Sequence, residues 1–350
     1  MTEPGIPNQL PAIPRLSHSI YLGSTRTVIL DTDHLLNQVK EGVRTGASLF
    51  LLGGPPLRRD RCFASSHVLQ ELYQPDEYGH RHKWDKLAEQ SKNEQWPRQP
   101  EAFERFFQAN FLSDITFVDV SGMFEEEPSV QQVRKIDPSD APTAQLAVLL
   151  SRLHPIIYAR DHSLWKPRLA PPPAQFLAVL TAGRDLDLSE STMNGMSYVG
   201  AAIVVVVDGA TNRAAALLQI PRWVPKLAVV GGAAWYFIGK ERRDKVMNAL
   251  KPVGKFLLQQ AELASRAIEV LSAAVANVPE DERLECRFAE VLAECGDERL
   301  LAREIQERIG LRIGSSPAPT IKKIREVVTS SPCFVEGPRY RYRLGRNYSS

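Results

Sequence analysis

Two short apolar runs constrain this chain most: Thr27-Val28-Ile29-Leu30, which ends on Asp31, and Pro155-Ile156-Ile157-Tyr158, which reaches Asp161 three residues later. Runs of this length, too short for helices, read as buried strands. Between them, apolar residues recur at helical spacing over Leu35–Val43, Ser65–Tyr73 (Val68, Leu69, Leu72), Glu101–Phe111 (Phe103, Phe106, Phe107, Phe111) and Ala141–Leu153. Two further strands are expected at Ser48–Leu52 and Ile115–Val120, and the polar stretch from Tyr78 to Gln99 reads as an insertion. Strands alternating with helices imply an α/β fold with a mostly parallel sheet.

The 350 residues exceed one ordinary core and imply two or three domains. The boundaries expected are a flexible lead-in over 1–25, the α/β domain over 26–170, a linker and helical, partly apolar region over 171–279 that opens with the proline run PRLAPPPAQF, and a last domain over 280–350. The polar, proline-rich start lacks the apolar run of a signal peptide, which predicts a cytoplasmic chain. With 43% hydrophobic and 24% charged residues the chain is globular, not disordered. A formal net charge of only +2 means that any affinity for nucleic acid must come from local patches. Cysteines 62, 286, 295 and 333 form no CxxC pair and no zinc spacing, so they read as idle thiols of a reducing compartment.

Four carboxylates carry the chemistry: Asp31 in VILDTDHLL, Glu71 in SSHVLQELY, Asp140 in DPSDAPTAQLAVLL and Asp161 in PIIYARDHSL. The carboxyl ends of parallel strands form a site edge, and Asp31 and Asp161 belong there. Asp140 opens a helix that can face the same edge. Taken singly, each has an ordinary explanation: a turn former at a strand end, a helix cap, a solvated helix residue. Taken together, four acids repel one another unless a cation neutralises them, and an oxygen-only ligand set suits Mg2+ or Mn2+.

In order and character these segments resemble the PIN-domain nucleases, over about residues 26–166. DPSDAPTAQLAVLL with IIYARD is similar to bacterial stand-alone PIN proteins in particular. The resemblance implies a PIN-like three-layer sandwich in which Asp31, Glu71, Asp140 and Asp161 are catalytic metal ligands for RNA hydrolysis. Asp33 and Asp137 are candidate neighbours of that site. Arg160, His162, Lys166 and Arg168 flank Asp161 and read either as phosphate holders or as a solvated loop. Ser66 and His67 have no partner acid in sequence that would make them a nucleophile pair.

In the middle region, Tyr198–Val207 and Leu227–Gly239 are each shorter than the ~20 residues of a bilayer span. They read as a buried helix pair, with a membrane-dipping hairpin over 198–239 as the rival. A long amphipathic helix or helix pair is expected over Asp244–Asn277. In the tail, helical spacing at Asp281–Cys295, Glu298–Ile309 and Thr320–Val328 precedes a hairpin around Glu336-Gly337-Pro338. Three helices and a hairpin resemble a winged helix, whose third helix and wing contact nucleic acid. Lys322, Lys323 and Arg325 lie on that helix, and Arg339, Arg341, Arg343 and Arg346 on the wing. Strand alternation in RYRYR is expected to set arginines on one face and Tyr340 and Tyr342 on the other. The function expected is a metal-dependent endoribonuclease, of the toxin or defence-effector kind, that acts alone, as a homo-oligomer or under an inhibitor protein. The rivals are a non-catalytic nucleic-acid-binding regulator working through the tail, and a membrane-associated effector.

Overall fold

The computed structural model describes residues 26–46, 60–74, 83–172, 174–175, 177–189, 256, 259–296, 298–312, 318–346 and 348. Contacts divide the chain into two compact units, one of residues 1–23 and 181–270, the other of 24–180 and 271–350. Of the first unit, 181–189 and 259–270 are helical, and the second of these agrees with part of the amphipathic segment expected over Asp244–Asn277. The lead-in, the Ser48–Leu52 run and the apolar segment 198–239 lie outside the described residues. No helix among the described residues is long and apolar enough to cross a membrane.

The second unit is mixed α/β. Its elements in chain order are β1 (Arg26–Leu30), α1 (Thr32–Thr45), β2 (Asp60–Ser65), α2 (Ser66–Tyr73), α3 (Lys83–Asn93), α4 (Pro100–Asn110), β3 (Ile115–Val118), α5 (Pro128–Ile136), α6 (Ala141–Leu149), β4 (Ile156–Tyr158) and α7 (His162–Trp165). The tail adds α8 (Leu284–Cys295), β5 (Leu300–Leu301), α9 (Ala302–Arg312), α10 (Ile321–Ser330), β6 (Phe334–Gly337) and β7 (Arg341–Leu344). Strands β3-β2-β1-β4 form a four-stranded sheet, every pairing parallel, and β5-β7-β6 an antiparallel one. All five residues of β1 are buried, as expected for a central parallel strand covered on both faces.

The stretch read as an insertion contains α3, a packed helix. Trp84, Leu87 and Ala88 are buried, and the Trp84 ring lies 5.6 Å from Phe107 and 6.1 Å from Tyr73. Helix α6 has no polar face: every residue except Pro142 is buried. A helix apolar all round needs cover on all sides. The sheet supplies one side and the tail another, since α6 and α8 belong to one continuous core with Ile29, Ile157, Phe288 and Tyr342. Cys286 donates from Sγ to the Val148 carbonyl at 3.6 Å within that core, and burial pushes its thiol up, as it does that of Cys333.

Ion pairs fasten the seam. Arg152 meets Glu282 and Glu290 at 2.9 Å each. Arg283 binds Asp281 at 2.6 Å, Glu126 at 2.9 Å and also Glu127, and stacks over the Phe124 ring at 4.3 Å. The tail and the segment just before it each close one edge of the parallel sheet. Phe117 of β3 exchanges two backbone bonds with Arg346, at 2.9 and 2.7 Å, and Ile156 of β4 bridges Val275. Gly345 allows the first approach: its φ is +61°, and a Cβ there would sit 2.4 Å from the Phe117 carbonyl oxygen.

One expectation about the tail needs correction. Only Arg341–Leu344 is pleated, with Tyr342 and Leu344 buried and the two arginines half-buried. Arg339 and Tyr340 both have positive φ, 59° and 56°, and form the turn, so Tyr340 is exposed and does not share the face of Tyr342.

Candidate metal centre

Asp31, Asp140 and Asp161 converge: one carboxylate oxygen of each lies within 4.8 Å of the others. Each residue directly precedes a helix, α1, α6 and α7, in the position where aspartate ordinarily caps the first amides. None does so here. The capping work beside Asp140 falls to Asp137, whose Oδ1 accepts from the Ser139 amide at 2.9 Å and its hydroxyl at 2.7 Å. That partnership holds the Asp137 carboxyl below its ordinary range. The explanation of Asp140 as a simple helix cap therefore fails, and its side chain is left for the cluster.

The site lies at the carboxyl ends of β1 and β4, where parallel strands and the helices that follow them leave a crevice. Three hydroxyls organise it, each from the residues just after one of the aspartates. Thr32, after Asp31, donates to Glu71 of α2. Thr143, three after Asp140, donates to Asp31 Oδ1 at 3.0 Å. Ser163, two after Asp161, donates to Asp140. Each helix start thus supplies an acid to the pocket and a hydroxyl to the next acid. The sequence reading missed these three positions, although a Ser or Thr within three residues of each of the three aspartates was a visible signal.

Burial and mutual repulsion dominate the electrostatics. Desolvation, then the neighbouring Asp140, pushes the Asp31 carboxyl well up, against the opposing bond from Thr143. Desolvation also raises Asp140, which Ser163 partly offsets. Asp161 is pushed up to about 6, by burial first and by Asp33 next. Glu71 and Asp33 add negative potential, so five acids face one small volume. Together the triad can hold a metal ion: its donors are all hard oxygens, and a bound cation relieves the repulsion that otherwise favours protonation of the acids.

Of the flanking residues, Arg160 is exposed beside the site. With its amide oxygen turned toward the guanidinium, Asn37 accepts from Arg160 Nε at 2.9 Å. The same cation, after burial, helps to lower the imidazole of His34 to about 3; His34 is fully buried and stacks on Tyr158 at 5.5 Å. His162 lies near Asp137 and exerts a downward pull on its carboxyl, while Lys166 and Arg168 are exposed on the turn after α7. In the tail, Lys322, Lys323 and Arg325 are exposed on α10, with Lys323 in an ion pair to Glu326 at 3.2 Å. Arg341 donates to the Arg299 carbonyl at 3.0 Å, so it is partly engaged inside the tail. No family model, curated protein or solved structure matches this chain.

Proposed function

We propose that the chain is a metal-dependent endoribonuclease with a PIN-type active site. One observation carries this reading: three aspartates from three separate elements forgo the caps open to them and bring their oxygens within 4.8 Å. Such an arrangement is unfavourable without a cation, so burial of these acids has a purpose beyond folding.

Asp31, Asp140 and Asp161 would hold Mg2+ or Mn2+, with Glu71 steadied at the margin by Thr32. The ion, when bound, supplies charge neutralisation at the phosphodiester and a more acidic water. The protein's own groups do the rest. Thr143 and Ser163 fix the orientation of Asp31 and Asp140. Asp33, exposed next to Asp161, is suited to accept the proton of the attacking water. Arg160, exposed at the rim, is suited to a phosphate oxygen. Water attacks phosphorus directly as one bridging P–O bond breaks, and that oxygen leaves as the protonated ribose hydroxyl, without a covalent enzyme intermediate. In the tail, the exposed Lys322, Lys323 and Arg325 support a winged-helix-like grip on the nucleic-acid backbone.

The test is incubation of labelled single-stranded RNA with the full chain and Mn2+, then with EDTA. Metal-dependent cutting that is lost in Asp31→Asn and in Asp140→Asn is expected. Full activity in both variants, or cutting that persists in EDTA, overturns the assignment. A gel shift without any cutting favours instead a binding protein that works through α10.

A further inference from the structure

A second cavity, of about 420 Å3, opens between α2, the end of β3, strand β6 of the tail and the residues that follow β7. It is distinct from the acid cluster but shares a wall with it: Gln70 lines the cavity, and the next residue, Glu71, takes the Thr32 bond on the metal side. Tyr348 and Phe117 form an aromatic wall, with their rings edge to face at 5.9 Å, and the Tyr348 side is exposed. The polar groups are Ser66, Gln70, Asp119, Glu336 and Arg346.

Their chemistry selects a ligand. Two carboxylates against one guanidinium make the cavity inhospitable to a phosphate and hospitable to hydrogen-bond donors. Ser121 engages Asp119 through Oδ1 alone, by its amide at 3.0 Å and its hydroxyl at 2.6 Å, which leaves the carboxylate oriented but not consumed. His67 Nδ1 sits 3.3 Å from Gln70 Oε1, which leaves the Gln70 amide nitrogen as a donor. A flat ligand with two adjacent N–H donors beside a carbonyl acceptor satisfies this set and can lie on the Tyr348 ring. Among the nucleobases that pattern belongs to guanine.

We infer that this cavity is a guanine subsite, which holds one unpaired base of the RNA beside the phosphodiester at the metal centre. The inference rests on the proposed RNA substrate for the identity of the polymer, though not for the binding of the base itself. Single-stranded RNA is read in this manner, by stacking on aromatic side chains and by hydrogen bonds to the exposed base edge. A base that lacks the matching donors forgoes the bond to the second oxygen of Asp119, which Ser121 leaves open, and binds more weakly.

The test separates base recognition from catalysis. Guanosine, adenosine, cytidine and uridine, which carry no phosphate, are titrated calorimetrically into the full chain in EDTA. Guanosine is expected to bind at least about tenfold more tightly than the other three. Asp119→Asn, which keeps the oxygen that accepts from Ser121, should remove that preference. Tyr348→Ala should weaken guanosine at least about fivefold, the low end of a stacking contribution. Thermal melts of both variants check that the fold is retained. Equal affinity for all four nucleosides, no binding of guanosine, or binding indifferent to both folded variants overturns the inference. Because no metal and no cleavage are involved, these results stand apart from the outcome of the RNA assay.

Discussion

The Thr143 hydroxyl donates to Asp31 Oδ1 at 3.0 Å, a contact between residues 112 positions apart that ties the first turn of α6 to the end of β1. It orients a carboxylate that would otherwise be free to cap its own helix. Thr143→Val keeps the shape and deletes the donor. A tenfold or greater loss of Mn2+ affinity is expected, the usual scale for a residue that steadies a ligand. Titration calorimetry with Mn2+ measures it, and unchanged affinity would remove Thr143 from the positioning role.

Asp31→Asn should separate stability from function. Burial and Asp140 hold the Asp31 carboxyl well above its ordinary range, so its charged form opposes folding. In EDTA at pH 8 the Asn variant should melt at a higher temperature than the natural chain, yet gain nothing on addition of Mn2+. A lower melting temperature in EDTA would contradict the burial argument.

Dependence on pH follows from Asp161. Its folded carboxyl titrates near 6, above the ordinary 3.8. A raised folded value means that the protonated form is favoured in the native state. The metal-free protein is therefore relatively more stable below about pH 4 as far as this group is concerned, and loses that contribution as pH rises through 6. Added Mn2+ needs the carboxylates charged, so its stabilising shift should grow from pH 5 to pH 7.5. Differential scanning fluorimetry across that range measures both trends, and a Mn2+ shift that shrinks with rising pH would refute the metal assignment.

Gly345 and Gly122 make a matched pair. Both have positive φ, but a Cβ at Gly122 meets nothing within 4 Å, whereas one at Gly345 meets the Phe117 carbonyl oxygen. Gly122→Ala should cost about 1 kcal/mol and Gly345→Ala clearly more, about 2–4 kcal/mol. Urea unfolding resolves the difference; equal costs would mean that the chain end shifts away from β3 freely.

For the tail, the combined Lys322→Ala, Lys323→Ala and Arg325→Ala variant should weaken RNA binding without sequence preference. The slope of log affinity against log salt should fall by up to about 3, one per phosphate contact. An unchanged slope would show that α10 does not touch the backbone.

How much of this could be read from the amino acids varies by residue. Thr27–Leu30 and Ile156–Tyr158 announced themselves because buried parallel strands are apolar throughout, and the acids at their ends marked the site edge. Strand β2 did not: Asp-Arg-Cys-Phe-Ala-Ser has no β-branched residue and two charges at its start, so its strand character comes from pairing with β1 and β3. Glu71, a half-buried helical acid, stands out only through its order among the other three. The docking of the tail had one local trace, the missing polar face of α6. The Arg152 and Arg283 pairs that lock it join residues far apart in sequence and leave no periodic signal.

A fragment cut after residue 170 would lack Val275 and Arg346 alike, and both flanks of its parallel ribbon would present bare amides and carbonyls to the next molecule. Self-association of such a truncated piece into insoluble ladders is the natural result. The last eighty residues are thus a splint for the acid-bearing half as much as a module of their own.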